Sequence, residues 1–335
     1  MTLSTLSRPT LSRPTLSRRS LFGAIAGASA LAAIGVPRIT LAQSAATPTG
    51  PRPIMYDRAV GDITFTTLLD GYLGLGQDLL TNADPAVVAA SLTAAYLDPA
   101  AAIAVPVSTH LIRSGTDITL IDAGAGGAFG PTAGRHLAAL AAAGVTPDAV
   151  TRIVLTHMHP DHIGGLVTDA GAVFANATLH VSATDLTFWT DAGIAASVPD
   201  MAKPFFALAA SVATAYGARV MPFDGDADLG GGLTAIAMPG HTPGHTGYRL
   251  SSGTDQLIIF GDTAAFASLQ FSHPDIGISF DADGAVASAT RKSVLAMLAA
   301  DKIAVAGSHL PFPGVGHVEV KGDAFAWVPE EYKYL

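Results

Sequence analysis

Thr156-His157-Met158-His159-Pro160-Asp161-His162-Ile163-Gly164-Gly165 places three imidazoles and a carboxylate within six positions, directly after the strand-like stretch Arg152-Ile153-Val154-Leu155. Imidazole and carboxylate together suit a borderline divalent ion such as zinc. Residues two apart on extended chain share a side, so His157 and His159 can grip one ion. Asp161 and His162, beyond the turn, then face a second. Four such groups packed together without a use would be a costly cluster of poorly solvated polar atoms. The stretch therefore reads as a dinuclear metal layout set at the end of a buried strand.

Outward from that stretch, short apolar runs alternate with Ala-rich helical stretches. Residues 63–69, 108–112, 118–121 and 152–155 read as strands, and 133–143 as a helix stopped by Gly144. A second round follows. Helices are expected over 184–191, 202–215 and 285–299, and strands over 233–237, 247–251, 256–260 and 303–306. Two rounds of strands followed by helices imply sheet packed on sheet with helices outside, in one domain over residues 55–335.

The N-terminus has a different composition. Residues 2–20 stutter through Leu-Ser-Arg-Pro-Thr and end in Ser17-Arg18-Arg19-Ser20-Leu21-Phe22, and a mildly apolar run follows to about Val36. This resembles a bacterial twin-arginine signal peptide, expected over residues 1–44, with a Pro/Gly linker over 45–54. The apolar run is shorter than the roughly 20 residues needed to span a bilayer, so no stable membrane insertion is expected after cleavage. The implied partner is the twin-arginine export machinery, and the implied location is the periplasm or outside the cell. A chain with no cysteine has nothing to oxidise there.

Charge narrows the partners. The 335 residues carry 18 basic and 27 acidic side chains, and Arg8, Arg13, Arg18, Arg19 and Arg38 all precede the first acid. The remainder is acidic enough to repel phosphate backbones and anionic lipid, which argues against nucleic acid as a partner. A homodimer is the commonest state for a soluble oligomer, and the sequence leaves that question open.

The His-x-His-x-Asp-His run resembles the signature of the metallo-β-lactamase superfamily, and three further stretches are similar to that family's remaining motifs in order. They are Pro239-Gly240-His241-Thr242-Pro243-Gly244-His245, Phe260-Gly261-Asp262-Thr263 and Ala306-Gly307-Ser308-His309. The resemblance implies an α+β fold, the four-layer αβ/βα sandwich with two mixed sheets flanked by helices. It implies a first metal held by His157, His159 and His241, a second by Asp161, His162 and His309, and Asp262 between them. Asp161 and Asp262 would hold a bridging hydroxide that attacks phosphorus or a carbonyl carbon. Two divalent ions are implied, zinc first, with Mn, Fe or Co accepted by the same ligands. Asp122 and His245 would support the ligands from outside. His317 is left between lining the site and holding its own loop. His110, His136, His180 and His273 lack ligand context.

Within the superfamily, the stretches 129–135, 240–246 and 309–317 resemble the methyl parathion hydrolase group. That resemblance implies an aromatic leaving-group pocket of Phe129, Trp189 and Phe206. Departures bear on substrate. True metallo-β-lactamases lack the bridging aspartate, and acyl-homoserine lactonases usually carry a tyrosine three residues beyond it, where this chain has Ala265. The expected substrates are small, neutral and apolar: phosphotriesters, aryl esters or lactones. A quorum-quenching lactonase is the alternative enzyme, and a metal-binding protein without turnover is the alternative outside enzymes.

Overall fold

Alternate residues of the strands turn to opposite apolar layers, and this fixes the architecture. In one strand Ile121 faces a layer between two sheets while its neighbour Leu120 faces helices; Val154 and Ile153 divide in the same way. Strands buried on both faces in this manner belong inside a sandwich. The computed structural model describes residues 52–333. The expected signal segment, and the linker up to residue 51, lie outside the described residues. The described chain clusters as one compact unit.

The first sheet has seven strands ordered as in the chain: β1 (Met55–Val60), β2 (Ile63–Leu75), β3 (Ile103–Ser114), β4 (Asp117–Ile121), β5 (Arg152–Val154), β6 (Thr178–Ser182) and β7 (Val220–Phe223). β1 to β4 form an antiparallel meander, and β4 to β7 run parallel. The second sheet repeats the plan with β8 (Ala227–Asp228), β9 (Leu233–Ala237), β10 (Thr246–Ser252), β11 (Asp255–Ile259), β12 (Ala304–Ala306), β13 (Val315–Lys321) and β14 (Ala324–Pro329). Its β11 and β12 are parallel and the rest antiparallel.

Between the sheets lie Phe65, Ile112, Ile121, Val154, Tyr248, Leu257, Ile259 and their neighbours, all buried. Helices α2 (His136–Ala142), α4 (Ala183–Thr190) and α6 (Lys203–Tyr216) cover the outer face of the first sheet. The long α7 (Gly284–Asp301) covers the second through Val294, Leu295 and Leu298. The four layers are therefore those of the expected αβ/βα sandwich. Three smaller helices complete the chain: α1 (Pro85–Ala94), the single turn α3 (Pro160–Ile163) and α5 (Ala192–Ser197). Among the described residues no helix is long and apolar enough to cross a membrane.

The sequence reading misses several elements. The hairpin β13–β14 was not expected, nor was α1, although Asp84 accepts from Ala86 N–H and Pro85 stands at its first position. The expected strand 63–69 runs on to Leu75 past a register shift at Asp70. That irregularity turns Asp70 out of the ladder, where its carboxylate accepts from the N–H groups of Ala125, Gly134 and His136. The loop 123–136, carrying Phe129, is held in this way.

Candidate metal centre

Parallel strands end together, and the loops leaving their C-terminal ends face one crevice. β5 runs out into Thr156 and the His157–His162 stretch. In the second sheet the loop after β9 brings His241, the loop after β11 brings Asp262, and the loop after β12 brings His309. The first half of the sandwich thus contributes four side chains and the second half three, and they meet on the seam between halves.

All seven are at most 8% exposed. His157 Nε2 lies 3.0 Å from His159 Nδ1, which lies 2.9 Å from His241 Nε2. On the other side, His309 Nε2 is 3.3 Å from Asp161 Oδ2, and His162 Nε2 is 3.6 Å from the same oxygen. Asp262 reaches both groups: Oδ2 is 2.9 Å from His309 Nε2 and 3.4 Å from His241 Nε2, and Oδ1 is 3.3 Å from His162 Nε2. The sets His157/His159/His241 and Asp161/His162/His309 each bring three ligand atoms within 4.8 Å of one another.

Whether these groups suit cations can be judged from the far side of each ring. His162 Nδ1 donates to Asp122 Oδ2 at 2.7 Å, His241 Nδ1 to Asp281 Oδ1 at 2.8 Å and His309 Nδ1 to Pro106 O at 2.6 Å. Thr156 Oγ1–H donates to Asp122 Oδ2 at 2.8 Å and so is free to accept from His157 Nδ1 at 3.0 Å. Each of these four rings therefore turns its Nε2 inward, as ligand histidines do, and His159 brings its Nδ1 to the same point. Three converging lone pairs cannot satisfy one another. His162 Nε2 and Asp262 Oδ1 are buried without a hydrogen-bond partner. A pair of divalent ions satisfies both conditions, so the residues fit the group.

The titration pattern agrees. Burial, with His162 beside one and His241 beside the other, holds His157 and His159 well below the usual imidazole range, which keeps them neutral. Burial opposes charge on His309 too, yet Asp262 and Asp161 carry it up to about 10. Burial would raise Asp161, but His162 and His309 bring it down to about 2. Groups in this state exchange protons for cations, so loading the site releases protons.

Two loops are clamped around the cluster. Asp185, raised by burial, accepts from Met158 N–H at 3.2 Å and Gly244 N–H at 2.7 Å, tying the His157–His162 stretch to the His241–His245 loop. His245 donates through Nδ1 to Met238 O and accepts through Nε2 from Asp262 N–H, both at 3.0 Å. Gly240 has φ +125°, and a Cβ there would meet Ala287 N at 2.2 Å, so only glycine lets this loop dock on α7. Asp122 occupies the left-handed region at φ +60°, a strained backbone placed where its carboxylate meets Thr156 and His162.

A cavity of about 220 Å³ opens over the cluster, walled by Leu73, Leu75, Phe129, Phe205, Ile278 and Phe280, with Gln270, Asp281 and Arg291 deeper in. The structure corrects the expected aromatic pocket. Phe129 lines the cavity, but Phe206 is turned into the core, its ring 4.7 Å from Trp189, and the adjacent Phe205 lines the wall instead. Trp189 is buried behind His159 with ring centroids 5.1 Å apart, so it backs that ring and is not among the residues of the cavity. His317 lies on β13 beside a separate surface hollow with Arg58 and Lys302, and is not among the residues of the cavity. Asp281, Asp185, Asp70 and Arg291 were missed; each is a lone charged residue with no spacing signal of its own.

The sequence model of the metallo-beta-lactamase superfamily matches residues 102–322. Among solved structures, the chain is similar to AbOPH, a hydrolase in the beta lactamase superfamily, at 32% identity over 85% of this chain and 100% of that one, with TM-score 0.79. It is similar to AidC, a dizinc quorum-quenching lactonase, at 29% identity over 84% of this chain and 99% of that one, also with TM-score 0.79. A probable metal-dependent hydrolase from Staphylococcus aureus, 20% identical over 83% of this chain and 100% of that one, shares the fold at TM-score 0.68. No curated protein sequence matches the chain significantly.

Proposed function

We propose that this chain, which belongs to the metallo-beta-lactamase superfamily, hydrolyses neutral lactones and apolar esters at a pair of divalent ions, zinc first, held by His157, His159, Asp161, His162, His241, Asp262 and His309. Its membership makes it a hydrolase. The observation that carries the finer reading is the convergence of seven ligand-type side chains, each braced from behind, at the floor of an apolar-walled cavity. Similarity to a dizinc quorum-quenching lactonase over nearly the whole of that chain supports the lactone.

When bound, two such ions supply an activated hydroxide and an electrophile for the oxygen that gains charge. The chain's own residues do the rest. Asp262, with Oδ2 near both His241 and His309 and Oδ1 near His162, stands between the two groups and would serve both, and Asp161 would complete the second group with His162 and His309. The neutral rings of His157 and His159 keep their lone pairs available through the working range of pH. Leu73, Phe129, Phe205 and Phe280 exclude water and seat an apolar arm. Phosphotriesters form the second reading, favoured by the resemblance of residues 129–135 and 309–317 to the methyl parathion hydrolase group. The N-terminal segment adds export through the twin-arginine route to the proposal.

The test is zinc-loaded protein assayed side by side on an aryl lactone, an acyl-homoserine lactone and a paraoxon-type triester. Lactone turnover that is lost on chelation and in Asp262→Ala is the expected result. Absence of turnover on all three overturns the reading.

A further inference from the structure

Among the described residues Arg291 is the one Lys or Arg lining the cavity, and the chemistry above makes no use of it. It sits in the middle of α7, on the face that also buries Ala287, Val294, Leu295 and Leu298, and is 1% exposed. A guanidinium so deeply set is tolerated only where its donors find acceptors. Two of its three nitrogens do. Nε donates to Thr263 O at 2.7 Å, and Nη1 donates to Pro274 O at 2.8 Å and Ile276 O at 3.0 Å.

Nη2 is the exception. It makes no hydrogen bond among the described residues, and its one carboxylate neighbour, Asp281 Oδ2, is 3.9 Å away. Asp281 is already engaged, through Oδ1 with His241 Nδ1 and through Oδ2 with Ile278 N–H. Gln270, the other polar side chain at this depth, is spent as well: its oxygen accepts from Ala265 and Phe266 N–H and its amide donates to Ile276 O. With Nε and Nη1 turned to backbone carbonyls, Nη2 is the donor left for whatever fills the cavity. The Asp281 carboxylate 3.9 Å away opposes a second anion at this depth, which favours a neutral acceptor.

We propose that Arg291 determines specificity by donating from Nη2 to a carbonyl oxygen on the arm of the substrate remote from the scissile bond, so that the site prefers lactones or esters bearing an amide or keto group over purely hydrocarbon ones. This rests on the hydrolase reading of the same cavity. A hydrogen bond from a charged donor in a desolvated site contributes about 10- to 100-fold in binding.

The test pairs two γ-lactones of equal chain length, one with an acylamino group and one with an alkyl group on the same ring carbon, on the zinc-loaded full chain. Dividing each kcat/KM by that lactone's rate constant for hydroxide hydrolysis removes intrinsic reactivity. Wild type should then prefer the amide about 10-fold or more. Arg291→Lys, with zinc content and melting temperature checked, should lose that preference through a raised KM on the amide alone. A normalised ratio near one in wild type, or an equal fall on both lactones in Arg291→Lys, overturns the role of Arg291. Should the variant fail to fold, the wild-type ratio decides alone. Failure to turn over either lactone sinks the functional reading itself, a distinguishable result.

Discussion

Asp122→Asn changes one atom and should disable one metal position. Asp122 Oδ1 accepts from Thr156 N–H at 2.8 Å, and Oδ2 accepts from both Thr156 Oγ1 and His162 Nδ1. An asparagine that keeps its oxygen on Thr156 N–H must present its NH2 to the hydroxyl and the ring. His162 Nδ1 then becomes an acceptor, its proton moves to Nε2, and that proton points at Asp161 and Asp262, where the lone pair should be. Losing an outer partner of a ligand histidine lowers metal affinity about 10- to 100-fold, or about 1.4–2.7 kcal/mol. The loss should fall on the group Asp161/His162/His309 and largely spare His157/His159/His241. Zinc titration against a chromogenic chelator resolves the two steps: the first equivalent should bind nearly as in wild type and the second more weakly. Two equivalents bound with wild-type affinity would refute the tautomer argument.

Other expectations follow from the same geometry. Phe205→Ala should raise KM for long-chain substrates about tenfold with little change in melting temperature, whereas Phe206→Ala, emptying a core position, should cost about 3–5 kcal/mol in a denaturant titration. Gly240→Ala forces a Cβ onto Ala287 N and should lower stability by about 3 kcal/mol or more, read by the same titration. Burial brings His136 down to about 4 despite Asp70 nearby. The unfolded chain therefore binds that proton first, and the stability it contributes, complete above about pH 6.5, falls away as pH drops toward 4. The loss approaches about 3 kcal/mol. Urea midpoints at pH 7.5 and 4.5, compared between wild type and His136→Gln, measure it: the pH difference should shrink in the variant.

The ligand groups were legible because they are dense. Four of the seven fall between His157 and His162, and His241, Asp262 and His309 each follow a short strand with a glycine one or two residues before them. The fold was legible for a related reason, since strands apolar on both faces must be sandwiched. The helix phase was where reading failed. Phe205 and Phe206 are adjacent and chemically identical, and only the stripe Phe206, Ala209, Val212 and Tyr216 decides which of them the core takes. Asp281 escaped notice because it stands 40 residues from the ring it holds, and Arg291 because a mid-helix arginine ordinarily points to water. Asp70 depended on a bulge that its own sequence does not announce.

The meeting of the ligands on the seam has a mechanical outcome. Neither half of the sandwich owns a complete ion position that includes Asp262, so capture must follow docking of the halves. Ions held there as proposed would act as a clasp: prising the sheets apart would break coordinate bonds as well as apolar contacts. Backbone amides near the seam, in β5 and β11, should accordingly exchange more slowly with solvent deuterium in the loaded protein than after chelation.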